Sequence, residues 1–246
     1  LTERKVAEEK IKKLYDEQKR LFSEIAHTLK TPLTVLMGSI DSLEKKIDQE
    51  TRTELINIMR QSILNASKNI TSLLKVAKMD MLQGELEPSD IDLCTLLETI
   101  EKQARLLYQS IYSACEEAEI TKNCRVKCTD KNIMINTDES KLREVLLIII
   151  ENALLHSPST NSLPTVTISA KREEDHITIE VRDLGKGMSE EDIRNAFVLY
   201  HRGSSKKPGF GIGLAYAYKV ISNLKGKIWI ESEQNKGTVV RMELPI

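Results

Sequence analysis

A histidine, a few carboxylates, an asparagine and two glycine clusters are the residues of this chain whose types and spacing could do chemistry. His27 lies in the stretch 22–32, FSEIAHTLKTP. Around it Leu21, Phe22, Ile25, Ala26, Leu29, Leu33, Leu36 and Ile40 recur at three- and four-residue spacing, the apolar stripe of a bundle helix. Ser23, Glu24, His27, Lys30, Thr31 and Thr34 occupy the other side. His27 therefore faces water, roughly 200° round from Ile25 at about 100° per residue. Pro32 removes a backbone hydrogen bond and crowds the carbonyl of Thr28, which is expected to loosen the helix beside the imidazole. A solvated imidazole that titrates near neutrality is a nucleophile or a proton carrier. Within this stretch alone, a plain surface histidine is the simpler reading.

Three further groups lie downstream. Glu151-Asn152-Ala153 interrupts an otherwise apolar helix. A buried amide there either bonds to backbone or offers an oxygen to a cation such as Mg²⁺ that arrives with phosphates. Asp183-Leu-Gly185-Lys-Gly187 follows a strand: the glycines let backbone approach a ligand, and the carboxylate can accept from an exocyclic amine such as adenine's. Gly209-Phe-Gly211-Ile-Gly213 opens a helix whose unpaired N–H groups would attract phosphate. No βαβ pattern follows it, so it is not a dinucleotide-binding fingerprint. Between the clusters, residues 188–208 include Arg202, Lys206 and Lys207 in a basic run with the composition of a mobile lid, or of an ordinary solvated loop. Taken singly each signal is weak; their order is more informative.

The elements that must position these groups follow from periodicity. Ile11, Leu14, Gln18, Leu21 and Ile25 keep heptad spacing, so residues 1–20 read as a coiled coil. The first helix is expected to reach about residue 46 and to break at 48–52. A second follows, with Leu55, Met59, Ser62, Ala66, Ile70, Leu73 and Ala77 inward, and ends at Gly84 and Pro88. One hairpin cannot bury wide stripes on both helices, so a dimeric four-helix bundle is expected. Beyond it, a strand over 86–91, a helix over 93–112 capped by Ser89 or Asp90, and strands over 125–128 and 133–136 are expected. A helix over 142–155 capped by Asp138 and closed by Pro158 follows. Paired strands over 165–170 and 177–182, helices from 190 and over 213–223, and strands over 227–232 and 238–244 complete an α+β sandwich, mainly antiparallel, with helices on one face.

Composition limits the class. The chain has 246 residues, enough for two modest domains; 40% are hydrophobic but only 4% aromatic, so aliphatic side chains must fill the core. Charged residues make up 30% with a net charge of −1 and no basic block, which argues against nucleic acid as partner. Cys94, Cys115, Cys124 and Cys128 form no C-x-x-C pair and read as reduced thiols of a cytoplasmic protein. No apolar run reaches the roughly 18 residues of a membrane span. The opening Leu1 fits a fragment whose sensor or membrane part lies upstream.

In this order the motifs resemble those of the bacterial sensor histidine kinases over nearly the whole chain. Residues 22–33 resemble the phosphoacceptor H-box, 142–157 the N-box, 183–187 the G1 box, 197–202 the F-box and 209–214 the G2 box. The resemblance implies a coiled-coil linker (1–20), a dimerisation and histidine phosphotransfer domain (21–84) and a Bergerat-type ATP-binding domain (85–246). It implies autophosphorylation of His27 from Mg·ATP within a homodimer, then transfer to an aspartate of a response-regulator receiver domain. By carry-over, Asn152 holds Mg²⁺ and Asp183 binds the adenine amine. Gly185 and Gly187 shape the adenine wall, and Gly209, Gly211 and Gly213 shape the lid hinge and phosphate cradle. Phe197 and Tyr200 anchor the lid that carries Arg202, His156 contacts phosphates, and Thr238 lies near the adenine. Thr31, one turn beyond His27, goes with removal of phosphate from the partner. Thr28 stands where the family has an acidic residue, and Glu24, on the same face, is the carboxylate left to orient the imidazole. Ile148 and Leu155 replace polar N-box residues, which bears on turnover and metal affinity. A gyrase-like ATPase switch and a non-enzymatic dimeric scaffold are the alternatives.

Overall fold

The computed structural model describes residues 12, 19, 23, 26, 29–79, 86–112, 115–128, 132–156, 164–201 and 211–246. The chain divides into two compact units, Leu1–Leu74 and Lys75–Ile246.

In the first unit, helix α1 covers 29–43 and is followed after a short connection by α2 (Gln49–Met79). The polar run 48–52, expected as a break, instead starts α2. Asp48 accepts from the Thr51 amide and from the Thr51 hydroxyl, both at 2.8 Å, so its side chain satisfies a donor of the first turn. The helix runs through Pro32 without interruption, and Thr34 Oγ1 donates to the Lys30 carbonyl at 3.0 Å. On α2 the covered line follows Leu55, Met59, Ser62, Ala66 and Leu73, as the period predicts, while Ile70 is exposed. On α1 it follows Leu29, Pro32, Leu36, Ser39 and Leu43. Leu33 and Ile40, expected inward, lie outside that line and are exposed with Met37. One helix neighbour covers one line of side chains, and these residues occupy the next line round.

The second unit is an α/β sandwich. β1 (Ser89–Asp92) pairs antiparallel with β3 (Met134–Thr137) in a two-stranded sheet. β2 (Cys124–Cys128), β4 (Val166–Arg172), β5 (His176–Asp183), β6 (Lys227–Glu233) and β7 (Gly237–Pro245) form a mixed sheet in the order β2-β4-β5-β7-β6. Among the described residues the β2–β4 pair is parallel and the other pairs are antiparallel. Helices α3 (Leu93–Ile111), α5 (Glu139–Leu155) and α7 (Gly213–Asn223) carry the helical share of the core. Two short helices, α4 (Glu117–Asn123) and α6 (Glu190–Asn195), complete the unit. The cap of α3 is Asp92, the last residue of β1 and directly before Leu93; its side chain accepts from the Cys94 amide at 3.0 Å. It is not Ser89 or Asp90, which lie further back along β1. The α5 cap is Asp138, as its spacing predicts.

Alternation places the core. Val166, Ile168 and Ala170 on β4, Ile177, Ile179 and Val181 on β5, and Val240, Met242 and Leu244 on β7 are buried. Leu93, Leu97 and Ile100 of α3, Leu142, Leu146, Ile149 and Ile150 of α5, and Val220 and Ile221 of α7 meet them. Burying each such aliphatic side chain contributes about 1.5–3 kcal/mol. Asp183 continues the buried row of β5 by one more step of two. A carboxylate therefore occupies the place of the next core residue, at the strand's end.

Candidate functional site

Asp183 is 8% exposed. Its Oδ1 accepts from the Gly185 amide at 2.7 Å, and the amide of its cross-strand partner Thr238 also donates to the carboxylate. Burial raises its pKa above the ordinary carboxylate value, and those two N–H groups oppose the rise. At Gly185 an added Cβ would stand 2.7 Å from Asp183 Oδ1 and 3.0 Å from the His156 carbonyl oxygen, so backbone closeness excludes a side chain there. Lys186 N–H reaches that same carbonyl at 3.5 Å. The end of α5 and the loop after β5 thus meet.

The β6–β7 turn braces this loop from the other side. Asn235 N–H donates to the Lys186 carbonyl at 2.7 Å, and Met188 N–H donates to Ser232 Oγ at 2.9 Å. Gly187 has φ +65°, and a Cβ there would lie 2.0 Å from the Glu233 carbonyl oxygen. The sequence places a turn at 235–237 between the last two strands, as found, whereas Ser232 carries no signal in its spacing. A cavity of about 300 Å³ at this end of the sheet is lined by Asp183, Ser232 and Thr238 together with Arg182, Glu231 and Lys236. Because that lining mixes residues from both faces of the sheet, the cavity marks the sheet's end and not the cleft between sheet and helices.

Asn152 is half-buried on α5, one turn before His156, the C-cap residue, whose N–H donates to the Asn152 carbonyl at 3.0 Å. A Cβ added to Gly213 would lie 3.0 Å from Ile148 Cγ2 and 3.7 Å from Asn152 Nδ2, so the start of α7 sits against the asparagine. Ile148, read from sequence as the loss of a polar group, is thus the apolar seat of the Gly213 backbone. The α7 N-cap, Ile212, is an isoleucine and offers no side-chain acceptor to the first-turn amides of the helix.

Phe197 packs on Tyr218 of α7, ring centroids 5.5 Å apart. Tyr200, at φ +67°, donates its N–H to the Gly211 carbonyl at 3.0 Å. Gly211, at φ +66°, lies so close to the His201 carbonyl that a Cβ would stand 2.3 Å from it. Residues 200 and 211, which flank 202–210, are therefore joined at their base. Arg202 and Gly209 lie outside the described residues. So do His27, Glu24 and Thr28 in the first unit, where Thr31 is exposed on α1.

The structure brings Asp183, Gly185, Gly187, His156, Asn152, Gly213 and Thr238 to one end of the second unit, with Phe197, Tyr200 and Gly211 leading to it. Among the described residues no group of three or more His, Cys, Asp or Glu side chains is arranged to hold a metal ion, and no helix is long and apolar enough to cross a membrane.

Residues 17–82 match the His Kinase A (phospho-acceptor) domain, and residues 137–246 match the histidine kinase-, DNA gyrase B-, and HSP90-like ATPase. Sporulation kinase C of Bacillus subtilis (strain 168) is 30% identical over 256 residues, covering 100% of this chain and 55% of the relative. Sensor histidine kinase WalK of the same organism is 24% identical over 239 residues, covering 95% of this chain and 37% of the relative. The chain thus spans between about a third and about half of the length of these curated relatives. Among solved structures, the Acinetobacter baumannii histidine kinase AdeS shares the fold with a TM-score of 0.63 at 20% identity, covering 89% of this chain and 97% of that one. Histidine kinase ThkA, solved in complex with response regulator protein TrrA, gives 0.67 at 21% identity, covering 96% of this chain and 63% of that one. With a phosphoacceptor-domain match followed along the chain by an ATPase-domain match, this chain belongs to the sensor histidine kinase family.

Proposed function

We propose that this chain is a kinase core that phosphorylates His27 from ATP and passes the phosphoryl group to an aspartate of a response-regulator receiver domain. The observation that carries this reading is the run of contacts from Asp183 through Gly185 and His156 to Asn152 and Gly213. It puts an acceptor for an amine at one end and the uncapped first turn of α7 at the other. In this reading the imidazole nitrogen bonds to the γ-phosphorus as the bond to the ADP oxygen breaks, and the imidazole is neutral when it attacks. Such transfer depends on positioning and charge neutralisation more than on covalent help. The first-turn amides of α7 hold phosphate oxygens, Arg202 adds charge, His156 makes a polar contact, and Glu24 orients the imidazole. Gly209 and Gly211 serve as the hinge of the lid, with Phe197 and Tyr200 at its base.

Magnesium fits the site in one specific way. No protein cage is present among the described residues, but the Asn152 side-chain amide stands beside the α7 start. Turned so that its oxygen faces the phosphates, it would supply one ligand, and Mg²⁺ commonly takes one or two protein ligands beside substrate phosphates. Bound there, it would neutralise phosphate charge.

We divide the chain at 1–20, 21–84 and 85–246 into linker, phosphoacceptor domain and ATP-binding domain, and place it on the cytoplasmic side of a membrane sensor, where ATP and receiver domains meet it. Incubation with Mg·[γ-³²P]ATP is expected to give acid-labile, base-stable label that peptide mapping assigns to His27. ATP turnover without protein label would instead mark a gyrase-like switch, and no binding a scaffold.

Two further assignments follow. Ile56, Ile63 and Ile70 of α2, with Leu33, Met37 and Ile40 of α1, leave exposed apolar lines at helical spacing. We assign them to the homodimer interface of a four-helix bundle. Ile63→Lys with Ile70→Lys is expected to sediment as a monomer; a variant that stays dimeric would remove this face from the interface. Thr31 we assign to positioning the water that hydrolyses the regulator's phosphoaspartate. Thr31→Ala is expected to slow that dephosphorylation roughly tenfold, the equivalent of one hydrogen bond. An unchanged rate would take Thr31 out of the mechanism.

A further inference from the structure

Ser232 belongs to none of the glycine motifs, yet its hydroxyl joins three elements of the site. Met188 N–H, the Gly237 carbonyl oxygen and Thr238 Oγ1 each lie 2.9 Å from Ser232 Oγ. A serine hydroxyl has one proton and two lone pairs. The amide can only donate and the carbonyl can only accept. Ser232 therefore gives its proton to Gly237 and accepts from Met188. The remaining contact must use its second lone pair, so Thr238 is the donor. This commits the only hydroxyl proton of Thr238 and leaves its oxygen with lone pairs alone.

Thr238 is the cross-strand partner of both Asp183 and Ser232, so the three residues form one row on the buried face of the sheet. Asp183 is the neighbouring acceptor. We propose that Ser232 is a specificity-positioning residue: by fixing the Thr238 proton it leaves Asp183 and Thr238 as paired acceptors, which selects a purine with a 6-amino donor over one with a 6-carbonyl. This rests on the nucleotide reading above and deepens it, since a wall of acceptors repels a carbonyl as well as welcoming an amine.

The test is calorimetric binding of the imido analogues of adenosine and inosine triphosphate to the whole chain and to two variants. The unaltered chain is expected to prefer the adenosine compound. Ser232→Ala frees the Thr238 proton to turn toward the base, and the preference is expected to fall roughly tenfold. Thr238→Val removes an acceptor, so it is expected to weaken the adenosine compound more than the inosine compound. It decides the matter even if Ser232→Ala does not fold. Equal weakening of both compounds would reduce Ser232 to a brace and overturn the proposal. So would a Thr238→Val that weakens the inosine compound more, because Thr238 would then be a donor. Binding without discrimination by the unaltered chain overturns this inference alone, whereas absence of binding to either compound overturns the nucleotide reading with it.

Discussion

Replacing Asp183 by asparagine is expected to weaken ATP binding at least about a hundredfold, since a charge-assisted bond worth about 1.5–3 kcal/mol is lost and a mismatched donor takes its place. The geometry makes the mismatch hard to avoid. Two backbone N–H groups, of Gly185 and Thr238, already donate to the carboxylate. An asparagine has one acceptor oxygen, so its NH₂ must face either a backbone donor or the ligand's amine. Calorimetry with a non-hydrolysable ATP analogue measures the loss, and affinity within threefold of the unaltered chain would show that the base is not read at Asp183. The same carboxylate sets a pH dependence. Burial raises its folded pKa above the ordinary value near 3.9, so on acidification it takes up its proton earlier than a surface carboxylate would. Adenine binding should therefore weaken as pH falls through that raised pKa, and Asp183→Asn should lose this part of the profile. For stability the sign is opposite. The folded state binds the proton more tightly than the unfolded chain, so as pH rises from the unfolded to the folded pKa this group's contribution decreases.

What the sequence made legible and what it hid differ in range along the chain. Helix α5 and the rows of β4, β5 and β7 follow from period and from Asp138, because each depends on residues a few positions apart. The glycine clusters were visible for the same reason. The Ser232 hub was not, since it joins positions 44, 5 and 6 residues away across strands and carries no composition signal. Helix α4 was missed because its seven residues bury only Ile120 and show no apolar period. The cap of α3 differs from the expected one because Ser89, Asp90 and Asp92 are all good caps, and β1 extends through Asp92, so only that residue stands directly before the first helical turn. Leu33 and Ile40 share the apolar period yet are exposed, because which part of that stripe a single chain covers depends on packing that periodicity does not encode.

Gly187→Ala should lower the melting temperature of the ATP-binding domain and abolish nucleotide binding together, because one backbone position supports both. Gly187 sits at φ +65°, a conformation that costs an L-residue about 1–2 kcal/mol. Strain is the smaller part. The new methyl would lie 2.0 Å from the Glu233 carbonyl oxygen and 3.1 Å from Gln234 Cα, and both are backbone atoms that cannot rotate aside. To admit it, the β6–β7 turn must withdraw from the loop after β5. That breaks the bonds from Asn235 to Lys186 and from Met188 to Ser232, at about 1 kcal/mol each. The sum, about 3–4 kcal/mol, corresponds to a fall of roughly 6–16 °C for a domain of this size. Gly38 on α1 provides the contrast: a Cβ there meets nothing within 4 Å, so Gly38→Ala should stabilise its helix by about 0.5–1 kcal/mol. Scanning calorimetry of both variants, with ATP titrated into each, separates the cases. If Gly187→Ala melts within a degree of the unaltered chain and still binds ATP, the turn does not brace the site. If it melts lower yet binds normally, the brace serves stability alone, and Asp183 keeps its orientation from Gly185 and Thr238 without help.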